Sequence, residues 1–259
     1  MSGSVKGKPI VVTGAGRGIG AEIARDLAQN GAKVCVADLD LSAAKNVANK
    51  IGNAAMAVEV DVSSRDSTRK MIAAAVERFG RLDVIFNNAG ISQACPFMEV
   101  TEKDWQRIMD VNGLGVLIGT QEAARQMKKQ GQGGKIINTA SIAAKQGYPL
   151  FAHYCASKFA VAAITQAAAR ALAADRITVN AFAPGVVRTE LWEQLDREFM
   201  ALGLTQSPDQ AINEFSQSIL LGRYSKPNDI TGVTTFLAST ASDYMTGQTV
   251  MIDGGMVLI

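Results

Sequence analysis

The stretch that most constrains what this chain can fold into is Thr13-Gly14-Ala15-Gly16-Arg17-Gly18-Ile19-Gly20. It follows the apolar run Ile10–Thr13 and opens a helical pattern over Gly18–Asn30. A strand that passes through glycines directly into a helix begins a βαβ unit, whose crossover lays down a second, parallel strand. The rest of the chain keeps that rhythm. Apolar runs at Lys33–Asp38, Met56–Asp61, Leu82–Asn87, Lys135–Thr139, Ile177–Phe182 and Thr249–Ile252 are short and nearly continuous in apolarity. Strands covered by helices on both faces read this way. Helical patterns fill the gaps at Ser42–Ile51, Ser64–Phe79, Thr101–Lys129, Tyr154–Ala174 and Pro227–Ser239, with Gly31 as a stop signal and Pro227 as a start.

Seven strands alternating with helices predict an α/β fold: one Rossmann-type, doubly wound parallel sheet with helices on both faces. The 259 residues suit a single domain spanning 1–259. One segment breaks the rhythm. Residues 190–223 are rich in polar side chains, contain no strand, and fall where a substrate lid over the carboxyl ends of the strands belongs.

Composition removes several function classes. A formal net charge of +2 is too small to imply nucleic acid or an anionic membrane as partner. No apolar run is long enough to span a bilayer, and Met1–Pro9 lacks the apolar centre of a signal peptide. The cysteines, Cys35, Cys95 and Cys155, are odd in number and far apart, which predicts free thiols and a cytoplasmic location. His153 is the single histidine, so no metal site is expected.

In the glycine-rich turn, Gly14, Gly18 and Gly20 let the backbone approach a pyrophosphate, which would sit with Arg17 and Ile19 at the positive end of the helix. The second strand ends on Asp38, a carboxylate placed to accept both ribose hydroxyls of NAD and to repel a 2′-phosphate. Arg17 is the competing residue, because a guanidinium there could hold that phosphate; Asp38 could otherwise cap the next helix. Asp61 and Val62 end the third strand and could reach the adenine. Asn88, Ala89 and Gly90 end the fourth in Asn87–Gly90, either as a cofactor wall or as a structural turn.

The fifth strand runs out to Ser141, and Tyr154-Cys155-Ala156-Ser157-Lys158 follows. A spacing of four puts Tyr154 and Lys158 one turn apart on one helical face. An unperturbed phenol, with a pKa near ~10, is a poor base at neutral pH, and a nearby ammonium favours its ionised form. Ser141 can steady a substrate oxygen as charge develops. His153 and Cys155, beside Tyr154, read as packed side chains.

Together these motifs resemble the short-chain dehydrogenase/reductase family over nearly the whole chain: residues 13–20, Asp61-Val62, Asn87–Gly90, Ser141, Tyr154–Lys158 and Pro184-Gly185. The resemblance implies an oxidoreductase with a catalytic tetrad of Asn112, Ser141, Tyr154 and Lys158. In the family the asparagine holds a water that links the lysine to solvent, and Tyr154 and Lys158 also meet the cofactor. It further implies that Pro184, Gly185, Val187 and Thr189 receive the nicotinamide end. Segments at 133–138, 158–161, 185–192 and 242–248 are similar to the acetoin reductase (meso-2,3-butanediol dehydrogenase) group and to related polyol dehydrogenases. A small uncharged vicinal diol or hydroxyketone is the expected substrate, met by Ser141 and Tyr154 and flanked by Gln146 and Trp192, with Ile142, Ser92 and Gln93 nearby. The alternatives are a polyol, a 3-oxoacyl-carrier-protein, or a catalytically dead scaffold that would need none of the four tetrad residues. The apolar segment Thr249–Ile259 leads to the expectation of a homotetramer.

Overall fold

In the computed structural model, which describes residues 3–258, β1 (Pro9–Thr13), β2 (Lys33–Asp38), β3 (Ala55–Glu59), β4 (Val84–Asn87), β5 (Gly134–Thr139), β6 (Ile177–Pro184) and β7 (Thr249–Ile252) form one sheet. Its order is β3-β2-β1-β4-β5-β6-β7, with every pair parallel. Alternate residues feed two apolar layers. Ile10 and Val12 of β1 pack toward α1 (Gly18–Gln29), α2 (Leu41–Ile51) and α9 (Asn228–Ala238). Val11, between them, packs toward α3 (Arg65–Phe79), α5 (Gly115–Gln130) and α6 (Ala152–Leu172). Burial on both faces is why the strand runs show no polar alternation.

The sheet reverses its winding between β1 and β4, and in such sheets the ligand crevice opens at that point, beyond the carboxyl ends of the strands. Local chemistry sets the helix starts around it. Asp40, not Asp38, caps α2 by accepting from the Ala43 amide at 3.0 Å. Ser64 caps α3, and Thr101 caps α4 (Glu102–Met109) in a reciprocal capping box with Asp104. By contrast α1 begins at Arg17 with no side-chain cap, which leaves its first amides facing the crevice.

The structure corrects one expectation from the sequence and adds detail to another. The single helix read over Thr101–Lys129 is α4, a π-helical turn over Asp110–Leu114, and α5. The cause is Asn112, whose buried side chain is held from outside the helix and needs the wider turn. The segment 190–223 contains no strand, as expected, and folds into α7 (Glu190–Ala201) and α8 (Gln210–Ser216). Leu195, Phe199 and Ala211 of this pair pack with Phe151, Ala143 and Ala94 in an apolar cluster of their own, beside the crevice.

Candidate active site

A cleft of about 320 Å³ opens at the switch point. Every residue assigned to the cofactor from the sequence lines it, from Gly14, Arg17, Gly18, Ile19 and Gly20 through Asp38, Asp61, Val62, Asn88, Ala89 and Gly90 to Pro184, Gly185, Val187 and Thr189. Close packing explains the glycines. Gly14 has φ 62°, and a Cβ there would lie 2.7 Å from Ala89 Cα. At Gly20 a Cβ would collide with the Gly14 carbonyl and the Asn88 amide. The turn can therefore reach the cleft only with hydrogen at these positions.

Asn88 and Thr13 weld the two central strands together. Asn88 Nδ2 donates to the Thr13 carbonyl at 2.9 Å, and the amides of Asn88 and Ala89 donate to Thr13 Oγ1 at 3.0 and 3.1 Å. Asn87 points inward to Asn138 and Thr120. Residues 87–90 thus form a structural turn and also a cleft wall.

At one end of the cleft Asp38 fixes the glycine turn. Its Oδ2 accepts from the Gly16 amide at 2.8 Å and its Oδ1 from the Asp40 amide at 3.0 Å. Two N–H bonds hold the carboxylate in place and leave further lone pairs for a ligand. Arg17 is exposed and forms no ion pair among the described residues. Asp61 is exposed just beyond β3, and its Oδ1 is engaged by Ser63. Leu39, left 68% exposed after Asp38, also lines this end, with Val60. Sequence reasoning assigned neither residue to the cleft, although a large apolar side chain directly after the strand-end acid was a signal for one.

At the other end Ser141, Tyr154 and Lys158 meet. Ser141 ends the stretch after β5 and its Oγ accepts from the Ala143 amide at 3.2 Å. Tyr154 and Lys158 stand one turn apart on α6, with Lys158 Nζ 5.7 Å from the Tyr154 ring centroid. Lys158 Nζ donates to the Thr139 carbonyl at 2.9 Å, so the strand end itself places the ammonium. Asn112 does not line the cleft. Its Nδ2 donates to the Ile91 carbonyl at 2.9 Å and to Ser157 Oγ at 3.0 Å, and its Oδ1 accepts from the Ile91 amide at 2.9 Å. It lies behind Gly90, between the π-turn and α6.

Charge at this end differs from the sequence expectation of a phenol eased toward ionisation by its lysine. Burial pushes the Tyr154 phenol up to about 12, with the Ser141 side chain pulling weakly the other way. Burial also pushes the Lys158 ammonium down to about 8. Both groups lose water, and each disfavours its charged form. The phenol is therefore held as a proton donor at neutral pH.

Leu191 and Trp192, at the start of α7, cover the cleft above Tyr154, and the Trp192 ring meets Phe215 edge-on at 5.4 Å. Gln146 falls outside the cleft: it is exposed, and its amide donates to the Tyr148 hydroxyl at 2.7 Å. A partner two residues away takes it, which spacing alone could not show. Ile142 and Ser92 are buried behind the cleft wall, and Gln93 accepts from Arg107. Ile91 and Val111 line the cleft instead, brought there by the Asn112 linkage. His153 is fully buried with both ring nitrogens unpartnered among the described residues, and burial lowers its pKa. Cys35, Cys95 and Cys155 are all buried free thiols.

A glycine turn at an uncapped helix start, with a phenol and an ammonium one turn apart at the far end, defines a nucleotide-dependent oxidoreductase site. The short chain dehydrogenase family profile matches residues 8–199, and the chain belongs to that family. Among curated proteins, it is 44% identical over 255 residues to L-2,3-butanediol dehydrogenase of Corynebacterium glutamicum, covering 96% of this chain and 98% of the relative. It is 40% identical over 254 residues to a diacetyl reductase ((S)-acetoin forming) of Staphylococcus epidermidis, with the same coverage. It is also 41% identical over 249 residues to galactitol 2-dehydrogenase of Agrobacterium fabrum, covering 96% of each chain. A solved structure of 3-ketoacyl-(acyl-carrier-protein) reductase from Brucella melitensis, complexed with NADH, superposes with a TM-score of 0.89 at 34% identity, covering 98% of this chain and 100% of that one.

Proposed function

We propose that this chain is an NAD(H)-dependent dehydrogenase of small, uncharged vicinal diols and hydroxyketones of the butanediol and acetoin type. The observation that carries the substrate class is the lining of the cleft at Tyr154 and Ser141. Leu191, Trp192 and Ile91 wall it, and Lys158 is its sole cation among the described residues. A phosphate or carboxylate would find there Lys158 alone, already bonded to the Thr139 carbonyl, whereas a small neutral molecule loses little.

The residues fit a dinucleotide. The uncapped start of α1 offers amides to a pyrophosphate, and Asp38, already anchored by two backbone amides, offers its remaining lone pairs to ribose hydroxyls. A fixed carboxylate at that point disfavours a 2′-phosphate by like-charge repulsion, which supports NAD over NADP. When bound, the nicotinamide would donate or accept the hydride. Lys158, Tyr154, Pro184, Gly185, Val187 and Thr189 would hold that end.

The chain's own residues handle the proton. In the reducing direction the protonated Tyr154 phenol donates to the substrate oxygen, and Ser141 hydrogen-bonds that oxygen as negative charge grows. The Lys158 ammonium, held by the Thr139 carbonyl, stabilises the phenolate left behind. Asn112, tied to the Ile91 backbone, holds the wall against which this exchange takes place.

The α7–α8 pair serves as the lid. Two hydrogen bonds tie it to the loop after β4 and support that reading: Glu198 accepts from the Ala94 amide at 2.8 Å, and Gln194 donates to the Ser92 carbonyl at 3.2 Å. The enzyme acts as a homotetramer in the cytoplasm. Exposed Trp105, Leu114 and Phe159 on neighbouring elements support association, and the buried free thiols suit a reducing compartment. The end of the chain contributes less than its apolarity suggested, because Val257 is buried in its own chain and Met256 packs beside Ile212 and Ile219; Ile259 lies outside the described residues.

A polyol is the second reading, favoured by the galactitol relative. Cofactor choice alone does not exclude an acyl-carrier-protein substrate, since the Brucella reductase was solved with NADH. The test is turnover of diacetyl, acetoin, 2,3-butanediol, sorbitol, galactitol and an acetoacetyl thioester, each with NADH or NAD. Higher kcat/KM for sorbitol or the thioester than for acetoin and butanediol would overturn the small-diol reading.

A further inference from the structure

At the opposite end of the sheet, below the amino ends of β4, β5 and β6, lies a second cleft of about 850 Å³. Four cations line it, Lys8, Arg81, Lys135 and Arg176, against two carboxylates, Asp83 and Asp243. The excess is two positive charges in one concavity, on a chain whose whole formal charge is +2. We propose that this cleft binds a small anion of two or more negative charges, a phosphate ester or a polycarboxylate.

Three observations bear on it. First, the acids leave the cations only partly satisfied. Asp243 pairs with Lys135 at 2.7 Å from a largely exposed position, Lys135 also donates to Ser242 Oγ at 3.2 Å, and Arg81 engages Asp83 and Gln132. Among the described residues Lys8 finds only the Ala238 carbonyl, at 3.1 Å. Second, the two lysines repel one another: burial and the nearby Lys135 charge both lower the Lys8 pKa, with Asp83 and Asp243 opposing. An anion between them would relieve that repulsion. Third, Arg176 occupies the left-handed region, at φ 59°, where the 3-10 turn after α6 ends. Glycine or asparagine adopts that conformation more readily, so the fold keeps an arginine there against its backbone preference. The guanidinium gives one N–H to the Gly131 carbonyl at 2.7 Å, and the other four of its five donors remain for a ligand in the cleft. Arginine forks suit bidentate binding of phosphate and carboxylate oxygens.

The test is titration calorimetry of the full chain with inorganic pyrophosphate and, separately, with citrate, at low and high salt. Saturable binding is expected, weakening as salt rises. Arg81→Gln with Arg176→Gln removes two forks and should weaken binding by about tenfold or more per arginine. Arg81→Lys with Arg176→Lys keeps the charge and should restore part of it. Binding of pyrophosphate alone assigns the cleft to phosphate esters, and binding of citrate alone assigns it to polycarboxylates. The dinucleotide cleft also suits a pyrophosphate, and the glutamine pair separates the two. Affinity unchanged in a folded Arg81→Gln/Arg176→Gln protein, or no binding of either anion at millimolar concentration, overturns the proposal. Should the glutamine pair fail to fold, Arg81→Gln alone carries the same two outcomes.

Discussion

Replacing Lys158 by methionine tests the electrostatics of the site against the stability of the fold. Methionine keeps an apolar stem of similar reach but removes a buried ammonium whose pKa is lowered from 10.5 to about 8. A shift of that size means that charging Lys158 in the folded protein costs about 3 kcal/mol at pH 7. Lost with it is the bond to the Thr139 carbonyl, and an orphaned buried acceptor costs about 1 to 3 kcal/mol. The balance makes Lys158→Met between about as stable as the parent at pH 7 and about 2 kcal/mol more stable, although it removes the ammonium proposed to order the proton transfer. The sign with pH is the sharper part. The folded-state pKa lies below the unfolded one, so between about pH 8 and 10.5 the unfolded chain binds the extra proton and parent stability rises with pH. By pH 10 the parent's penalty has fallen below about 1 kcal/mol, whereas the methionine variant never had it. Tyr154 is present in both proteins, so its own titration largely cancels. Urea unfolding of both proteins at pH 7 and pH 10 measures the difference. The parent should gain about 2 to 3 kcal/mol on the variant across that interval; a gap that stays constant with pH would refute a desolvated, charge-strained lysine.

Asp38→Ser removes both the ribose acceptor and the repulsion, so the ratio of kcat/KM for NADPH to that for NADH should rise by about tenfold or more. A parent enzyme that already prefers NADPH would hand control to Arg17. Tyr154→Phe keeps the ring and loses the proton, and steady-state rates should fall by at least ~10²-fold. Asn112→Ala breaks its links to Ile91 and Ser157 and should lower unfolding free energy by about 3 kcal/mol in denaturant melts, besides reducing activity. Light scattering should give a particle near four times the 27.4 kDa chain; a single-chain mass at micromolar concentration would count against the tetramer.

Much of this could be read in the sequence, for physical reasons. The strands announced themselves because both faces are buried, as Val11 and its neighbours Ile10 and Val12 show by packing into opposite layers. The residues that line the cleft at 14–20, 38 and 88–90 were legible because they sit at strand ends or a helix start, whereas those at 184–189 came from the family resemblance. Tyr154 and Lys158 were legible because a spacing of four can be projected onto a helix. What stayed hidden depended on distant partners. The π-turn shows no break in the helical pattern, because its cause is a hydrogen-bonded knot with Ile91, across space. The α7 and α8 helices bury their apolar residues against Phe151 and Ala143, not against the sheet, so the sheet rhythm gave no cue. The Tyr154 and Lys158 shifts depend on desolvation, which a spacing rule cannot supply.

The π-turn at Asp110–Leu114 also decides where this chain can change length. A π-turn accommodates one residue more than a regular helix would, and each residue of an α-helix advances the side chains by about 100°. Deleting one residue there would restore regular helix with α5 in register, but would lose the wider turn from which Asn112 reaches Ile91 and Ser157. The loop 203–209 between α7 and α8 seats no comparable knot, and its anchors, the Asp209 amide on Asp196 and the Arg188–Asp209 pair, lie at its last residue. Natural variants of this enzyme should therefore gain and lose residues freely at 203–209 and almost never at 110–114. The connection between α7 and α8 can be resized, while the turn that seats Asn112 is fixed in count even where its other residues change.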